Sequence, residues 1–230
     1  NAFKLMEKIM NVDYRPLFKL TNFLIIIMLL IIPLQIIIFS LYPPPNTVEG
    51  FFELYKSNVF LGLLSLDFLY LINNTIMIIL YLSLFVALYK DSPLTVLIAF
   101  ILGIVGLVCY YGSNPSFEIL NLSRKFFDAN INEQIIYIAA GETLLAGYSG
   151  TSFNVYYVLN TICLLMFSYT LIKSPIFKKS VGYWALASGF FMIIPSSAGM
   201  IGLIFSLLSL IPWIVFIGLL RLEYKNKLSL

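Results

Sequence analysis

Histidine is absent from this chain, cysteine occurs only twice, and charged residues fill only 11% of its 230 positions. Without histidine, the commonest metal ligand and the commonest general base are missing. That excludes haem held by histidine, intramembrane zinc hydrolysis and histidine-box di-iron chemistry. Cys109 and Cys163 lie in or near apolar stretches far apart in sequence, and there is no C-x-x-C, which argues against thiol–disulfide catalysis. Both read as small buried apolar residues. No internal repeat is visible, so an inverted-repeat transporter is not supported. The first long apolar run, from Leu20, is too long for a signal core and lacks a small-residue cleavage site, so no cleavable signal is expected.

What the chain has in abundance is apolar side chains, at 60%. Soluble domains hold about 45–50% apolar and about 25% charged residues, so bilayer is the expected solvent. The apolar runs read as six spans, at about 20–41, 69–89, 94–111, 153–172, 180–194 and 200–221. The second belongs to an uninterrupted run of 31 residues, Val59 to Tyr89. As one helix it would reach roughly 45 Å, longer than the ~30 Å hydrocarbon core. Counting back from Tyr89 puts the outer edge of the core near Leu69 and Tyr70, and Asp67 at the outer headgroup boundary.

Six crossings sort the charges. Lys4, Lys8, Arg15, Lys19, Lys90, Lys173, Lys178, Lys179, Arg221, Lys225 and Lys227 fall on one side, 11 of the 14 basic residues. Against them stand only Glu7, Asp13, Asp91 and Glu223. The basic side is the cytoplasmic one, so both ends are expected inside. Its charge also favours anionic inner-leaflet lipids.

Between the spans, residues 1–19 suggest a short interfacial helix, and residues 46–57 a surface helix bearing Phe51, Phe52 and Leu54. Residues 112–152 form the one large extramembrane region, on the outer side. It carries an amphipathic helix over 116–128 and a second helix over 131–147, expected to lie on or dip into the outer leaflet. Gly103, Gly106, Gly182, Ala185 and Gly189 are small-residue positions suited to close helix contact.

Polar groups inside apolar runs are the candidate site, because they are costly there and usually functional. Asp67, Tyr70, Asn74 and Tyr81 share one helix face, with Asn73 beside it. Tyr157, Asn160, Thr161 and Ser168 form a second stripe, and Asn160 should match Asn73 and Asn74 in depth. Two readings stand: interhelical hydrogen bonds, or a polar pocket opening outward. Glu142, on an otherwise apolar helix, either anchors the outer helix, pairs with Arg124 or Lys125, or faces a cavity shared with Asp67. The many Tyr and Phe at span ends read as interfacial belts rather than a cofactor box.

The stretch Ala139-Ala140-Gly141-Glu142-Thr143-Leu144-Leu145-Ala146, then Gly150-Thr151-Ser152-Phe153, Ile172-Lys173-Ser174-Pro175-Ile176-Phe177 and the small-residue span from Gly182, resembles an uncharacterised prokaryotic six-span membrane family. The resemblance covers about residues 58–222. It implies a six-helix integral membrane protein with an outer helical excursion before the fourth span, and it assigns no catalytic residue.

The expectation is one all-α domain over 1–230, a multi-pass bundle in the cytoplasmic membrane. Its leading function is non-enzymatic, as an accessory or scaffolding subunit of a larger membrane complex. The alternative is a binder or transporter of a lipid or small apolar molecule, through Asp67, Tyr70, Asn73, Asn74, Glu142, Tyr157 and Asn160. An intramembrane acid–base enzyme using Asp67 and Glu142 ranks last. No metal or cofactor is expected. Membrane lipids and protein subunits are the expected partners, and nucleic acid is not.

Overall fold

The computed structural model describes residues 12–228, and every regular element among them is helical. Residues 1–11, the greater part of the expected interfacial helix, lie outside the described residues. The helices are α1 (Arg15–Leu41), α2 (Val48–Ser57), α3 (Val59–Ser65), α4 (Phe68–Leu88) and α5 (Pro93–Ser113). They continue as α6 (Ser116–Asp128), α7 (Ile131–Tyr148), α8 (Thr151–Lys173), α9 (Lys179–Phe191) and α10 (Gly199–Glu223), closed by a π-helical turn at Tyr224–Leu228.

The punctuation follows from the residues at the breaks. α1 and α5 each start with proline in the first turn, where no amide donor is needed. Asn58 accepts from the Leu61 amide at 3.0 Å and opens α3. Asn130 and Glu133 close a capping box that starts α7.

Among the described residues, five helical stretches are long and apolar enough to cross a membrane: Arg15–Leu41, Phe68–Leu88, and runs within Pro93–Asp128, Ile131–Lys173 and Gly199–Asn226. α9 has 13 residues. At ~1.5 Å per residue it reaches about 20 Å, short of the hydrocarbon core.

Two cores are present. The larger runs through the bundle and holds Ile25, Leu84, Leu107, Phe167, Ala185 and Phe216. The small-residue positions put backbones together within it. A Cβ on Gly103 would meet Cys163 Sγ at 2.7 Å, and one on Gly182 would meet the Ile172 backbone nitrogen at 2.8 Å. Tyr224 closes the bundle at the basic end, its ring 5.2 Å from Phe18 and 6.1 Å from Phe177. Asp13, exposed beside this end, is held below the usual carboxylate range by the Arg15 guanidinium, which bonds it at 2.9 Å.

The smaller core lies at the opposite end, where Phe51, Phe52 and Tyr55 of α2 pack with Leu66 and Ile119 under a cap built by α6 and α7. The Tyr55 hydroxyl donates to the Ser116 carbonyl at 2.8 Å, and Ser123 Oγ to the Phe52 carbonyl at 2.8 Å. Burial pushes the Tyr55 phenol upward, and nearby Glu118 adds to it. The short surface helix and the amphipathic helix are thus partners, each burying the apolar stripe of the other. On α7 only Gly141 is buried, against Val48 and Phe52, while Ile131, Ile135 and Ile136 face outward.

Candidate functional site

The apolar run from Val59 does not form one helix. It breaks at Leu66 and Asp67, where Asp67 takes the left-handed backbone conformation (φ 60°). Aspartate tolerates that region better than most residues. A helix end leaves carbonyls without partners, and neighbouring elements supply the donors. Asn114 Nδ2 and Ser116 Oγ both donate to the Leu66 carbonyl, at 2.7 and 2.9 Å, and Gln35 Nε2 reaches the Leu64 carbonyl at 3.5 Å. The Tyr148 hydroxyl, at the end of α7, donates to the Asp67 carboxylate.

Below this break lies a cavity of about 350 Å³. Its floor is the α4 face that carries Tyr70, Asn73, Asn74, Met77 and Tyr81, a helical repeat of three and four residues. Opposite stand Phe153, Tyr156, Tyr157 and Asn160 of α8. α1 contributes Ile32, Gln35, Ile36 and Phe39, and α10 contributes Leu203, Ser206, Leu207 and Trp213. The irregular stretch after α9 adds Met192 and Ser196. Such backbone is tolerated at membrane depth where it lines a cavity or is covered by protein.

Six of the seven candidate residues therefore meet at one cavity: Asp67, Tyr70, Asn73, Asn74, Tyr157 and Asn160. Glu142 does not join them. It is exposed on α7, and no ion pair with Arg124 or Lys125 forms. The helix turns Gly141 inward instead, because only a residue without a side chain fits against Val48. The two-carboxylate arrangement imagined for acid–base chemistry is not assembled.

Some residues of the polar stripes are hydrogen-bonded at the cavity wall, and others leave polar atoms facing it without a partner. Asn160 accepts from the Tyr81 hydroxyl at 2.7 Å and donates to the Tyr156 carbonyl at 3.0 Å. Tyr157 pairs with Ser206 across to α10 at 3.1 Å, and Thr161 Oγ1 donates to the Met192 carbonyl at 2.8 Å. All but the Asn160–Tyr156 bond, which stays within α8, link α8 to another segment. Four other side chains at the cavity are at least nine-tenths buried and keep a polar atom with no hydrogen-bond partner in the protein: Gln35 Oε1, Asn73 Oδ1, Asn74 Nδ2 and the Tyr110 hydroxyl. The Asn74 amide lies near the Tyr156 hydroxyl without closing a bond to it. Each such group costs roughly 1–3 kcal/mol unless something satisfies it.

Sequence reasoning passed over Gln35, Tyr110, Phe153, Tyr156 and Trp213. Gln35 carried a usable signal, as the lone amide in the outer half of an apolar span. The aromatic residues carried none, since the expected interfacial belts and a cavity wall have the same composition. Tyr110 and Tyr156 belong to the wall.

The cavity has a side opening. Ile36, Leu203 and Leu207 line it yet are 50%, 49% and 55% exposed, so they form its mouth between α1 and α10. Their neighbours Ile37, Ile204 and Ile211 are exposed and apolar, so the mouth faces the surroundings of the spanning helices rather than the cap.

The fold and site define a chain whose described residues are all-helical, with helices long and apolar enough to cross a membrane arranged around an amphipathic cavity. No family model, curated protein or solved structure matches the chain.

Proposed function

We propose that this protein binds a small amphipathic molecule, taken from the outer half of the bilayer through the mouth between α1 and α10. The observation that carries the reading is the cavity with its four buried, unpartnered polar atoms. An apolar tail fits among Ile32, Phe39, Leu207 and Trp213, and a hydrogen-bonding head completes Gln35, Asn73 and Asn74. The volume falls at the small end of ligand pockets, about 300–1,000 Å³.

In this reading the chain crosses the plasma membrane six times, with both ends cytoplasmic. The support is a ladder of contacts along α8. Gly182 lies against Ile172, Gly189 against Leu165, Met192 bonds Thr161, and Ser197 Oγ donates to Asn154 at 2.6 Å. The segment 182–197 thus runs the length of α8 from residue 172 to residue 154, about 27 Å at ~1.5 Å per residue. Its helical part is short, and irregular backbone completes the passage. The meeting of Phe18, Phe177 and Tyr224 supports both ends lying on one face, and the basic residues there mark it as cytoplasmic.

Gentle extraction followed by native mass spectrometry tests the binding. The expected spectrum shows the chain with a bound small molecule, which is lost in Asn74→Leu. An empty chain accompanied by stoichiometric proteins would support the accessory-subunit reading instead.

A further inference from the structure

We infer that the head of this amphipathic ligand is an organic ammonium, held over aromatic faces beside Asp67. The inference rests on the binding reading above and adds the sign of the charge. Five rings line the cavity around its carboxylate: Tyr70, Tyr110, Phe153, Tyr156 and Tyr157. Their centroids form a connected group, with 6.5 Å from Tyr70 to Tyr110, 4.9 Å from Tyr110 to Tyr156 and 5.2 Å from Phe153 to Tyr157. Every contact among the five is tilted or edge-on, with interplanar angles from 42° to 86°. An edge-on contact fills at most one face of a ring, so each ring of the group can keep its other face for a cation. A cation within about 6 Å of such faces is attracted to them, and quaternary ammonium groups are recognised in this way.

The charge inventory points to the same sign. Among the described residues, Asp67 is the only carboxylate at the cavity, and no Lys or Arg lines it. Its carboxylate has the Tyr148 hydroxyl as a neutral donor, and among the described residues no ion pair reaches it. Asp67 is within electrostatic reach of Tyr70, Tyr110 and Tyr156. An enclosed carboxylate without a counter-charge is unfavourable, and a bound cation supplies one. A phosphate or sulfate head would meet a like charge and no basic partner.

The test uses the full chain in nanodiscs with Trp184→Phe, which leaves Trp213 at the cavity as the sole tryptophan. Octyl chains brominated at the tip carry a primary ammonium, whose N–H groups can also donate to Gln35 Oε1 and Asn73 Oδ1, a sulfate or an uncharged glucoside head, and quench Trp213 on contact. The ammonium compound is expected to quench at about tenfold lower concentration than the glucoside, with the sulfate weakest. Asp67→Asn keeps an acceptor for Tyr148 and a residue suited to the left-handed backbone, and is expected to bring ammonium and glucoside together. Tyr70→Leu weakens the ammonium compound selectively. Equal quenching by all three heads, or a preference that survives Asp67→Asn, overturns the ammonium assignment while the binding reading stands. No quenching by any of them overturns both.

Discussion

The hydroxyl of Tyr148, on the last turn of α7, donates to the carboxylate of Asp67 at the break between α3 and α4. One bond therefore ties the cap to the rim of the cavity. The cap has other attachments, Tyr55 to Ser116 and Ser123 to Phe52, so it stays folded when this one is cut. Tyr148→Phe is expected to lower stability by about 1.5–3 kcal/mol, the range for a hydrogen bond to a charged group. Thermal unfolding in mild detergent reads it. Affinity for a cationic amphiphile should hold or rise, because the carboxylate no longer shares its charge with the phenol. Loss of that affinity would assign Tyr148 a role in the site that the geometry does not give it.

Asp67 is the one described non-glycine residue with positive φ. Side chains differ sharply in what they cost there. Glycine is free of the penalty, asparagine and aspartate bear a small one, and β-branched residues clash with their own backbone. Asp67→Gly is expected to lose about 1–2 kcal/mol, the missing Tyr148 hydrogen bond outweighing a small relief of backbone strain. Asp67→Val, close in bulk, is expected to lose about 2 kcal/mol or more. The order Gly above Val in melting temperature checks the backbone assignment. The reverse order would place residue 67 in ordinary helix.

Much of this site could be read from spacing. Residues 67, 70, 74 and 81 share a helix face by arithmetic alone, and they line one cavity. The mismatch between 31 apolar residues and the membrane thickness put Asp67 at the edge of the hydrocarbon core, but gave no sign that the helix breaks there. What spacing could not supply was direction on a helix with no clear polar face. On α7 the inward residue is Gly141 and not Glu142, and only the packing against Val48 decides this. Nor could composition separate tyrosines that wall a cavity from tyrosines at a membrane surface. Tyr110 became identifiable only once α5 and α8 were seen to pack closely, through Gly103 and Gly106.

That close packing makes its own prediction. A Cβ on Gly106 would lie 2.3 Å from Asn160 Nδ2 and 3.2 Å from Leu159 Cβ. The amide cannot simply swing aside, because Tyr81 and the Tyr156 carbonyl hold both its ends. Gly106→Ala is expected to cost about 1–3 kcal/mol by overpacking. Asn160→Ala removes an interhelical bond worth roughly 0.6–1.7 kcal/mol in membranes. The double variant should be less damaged than the sum by at least about 0.5 kcal/mol, because the new methyl occupies the space the amide vacates. Chemical denaturation of the four proteins measures the coupling; strict additivity would mean that the helices are further apart.

The proposed passage of α9 and its irregular continuation across the bilayer has a reporter in Ala198. With Cys109 and Cys163 replaced by alanine, single cysteines go to Asn121 on the cap, Lys178 in the basic turn and Ala198 before α10, all exposed positions. An impermeant maleimide applied to intact cells is expected to label positions 121 and 198 and to spare 178 until the membrane is opened. If α9 turned back without crossing, Ala198 would follow Lys178 and not Asn121. The energetic argument favours crossing: the segment's helix ends at Phe191, but its next contacts run to Thr161 and then Asn154 along α8, and the carbonyl of Met192 is satisfied on the way. A chain that turned back would forfeit the part-buried Thr161–Met192 bond and the exposed Asn154–Ser197 bond, both of which the proposed path keeps while covering irregular backbone with protein.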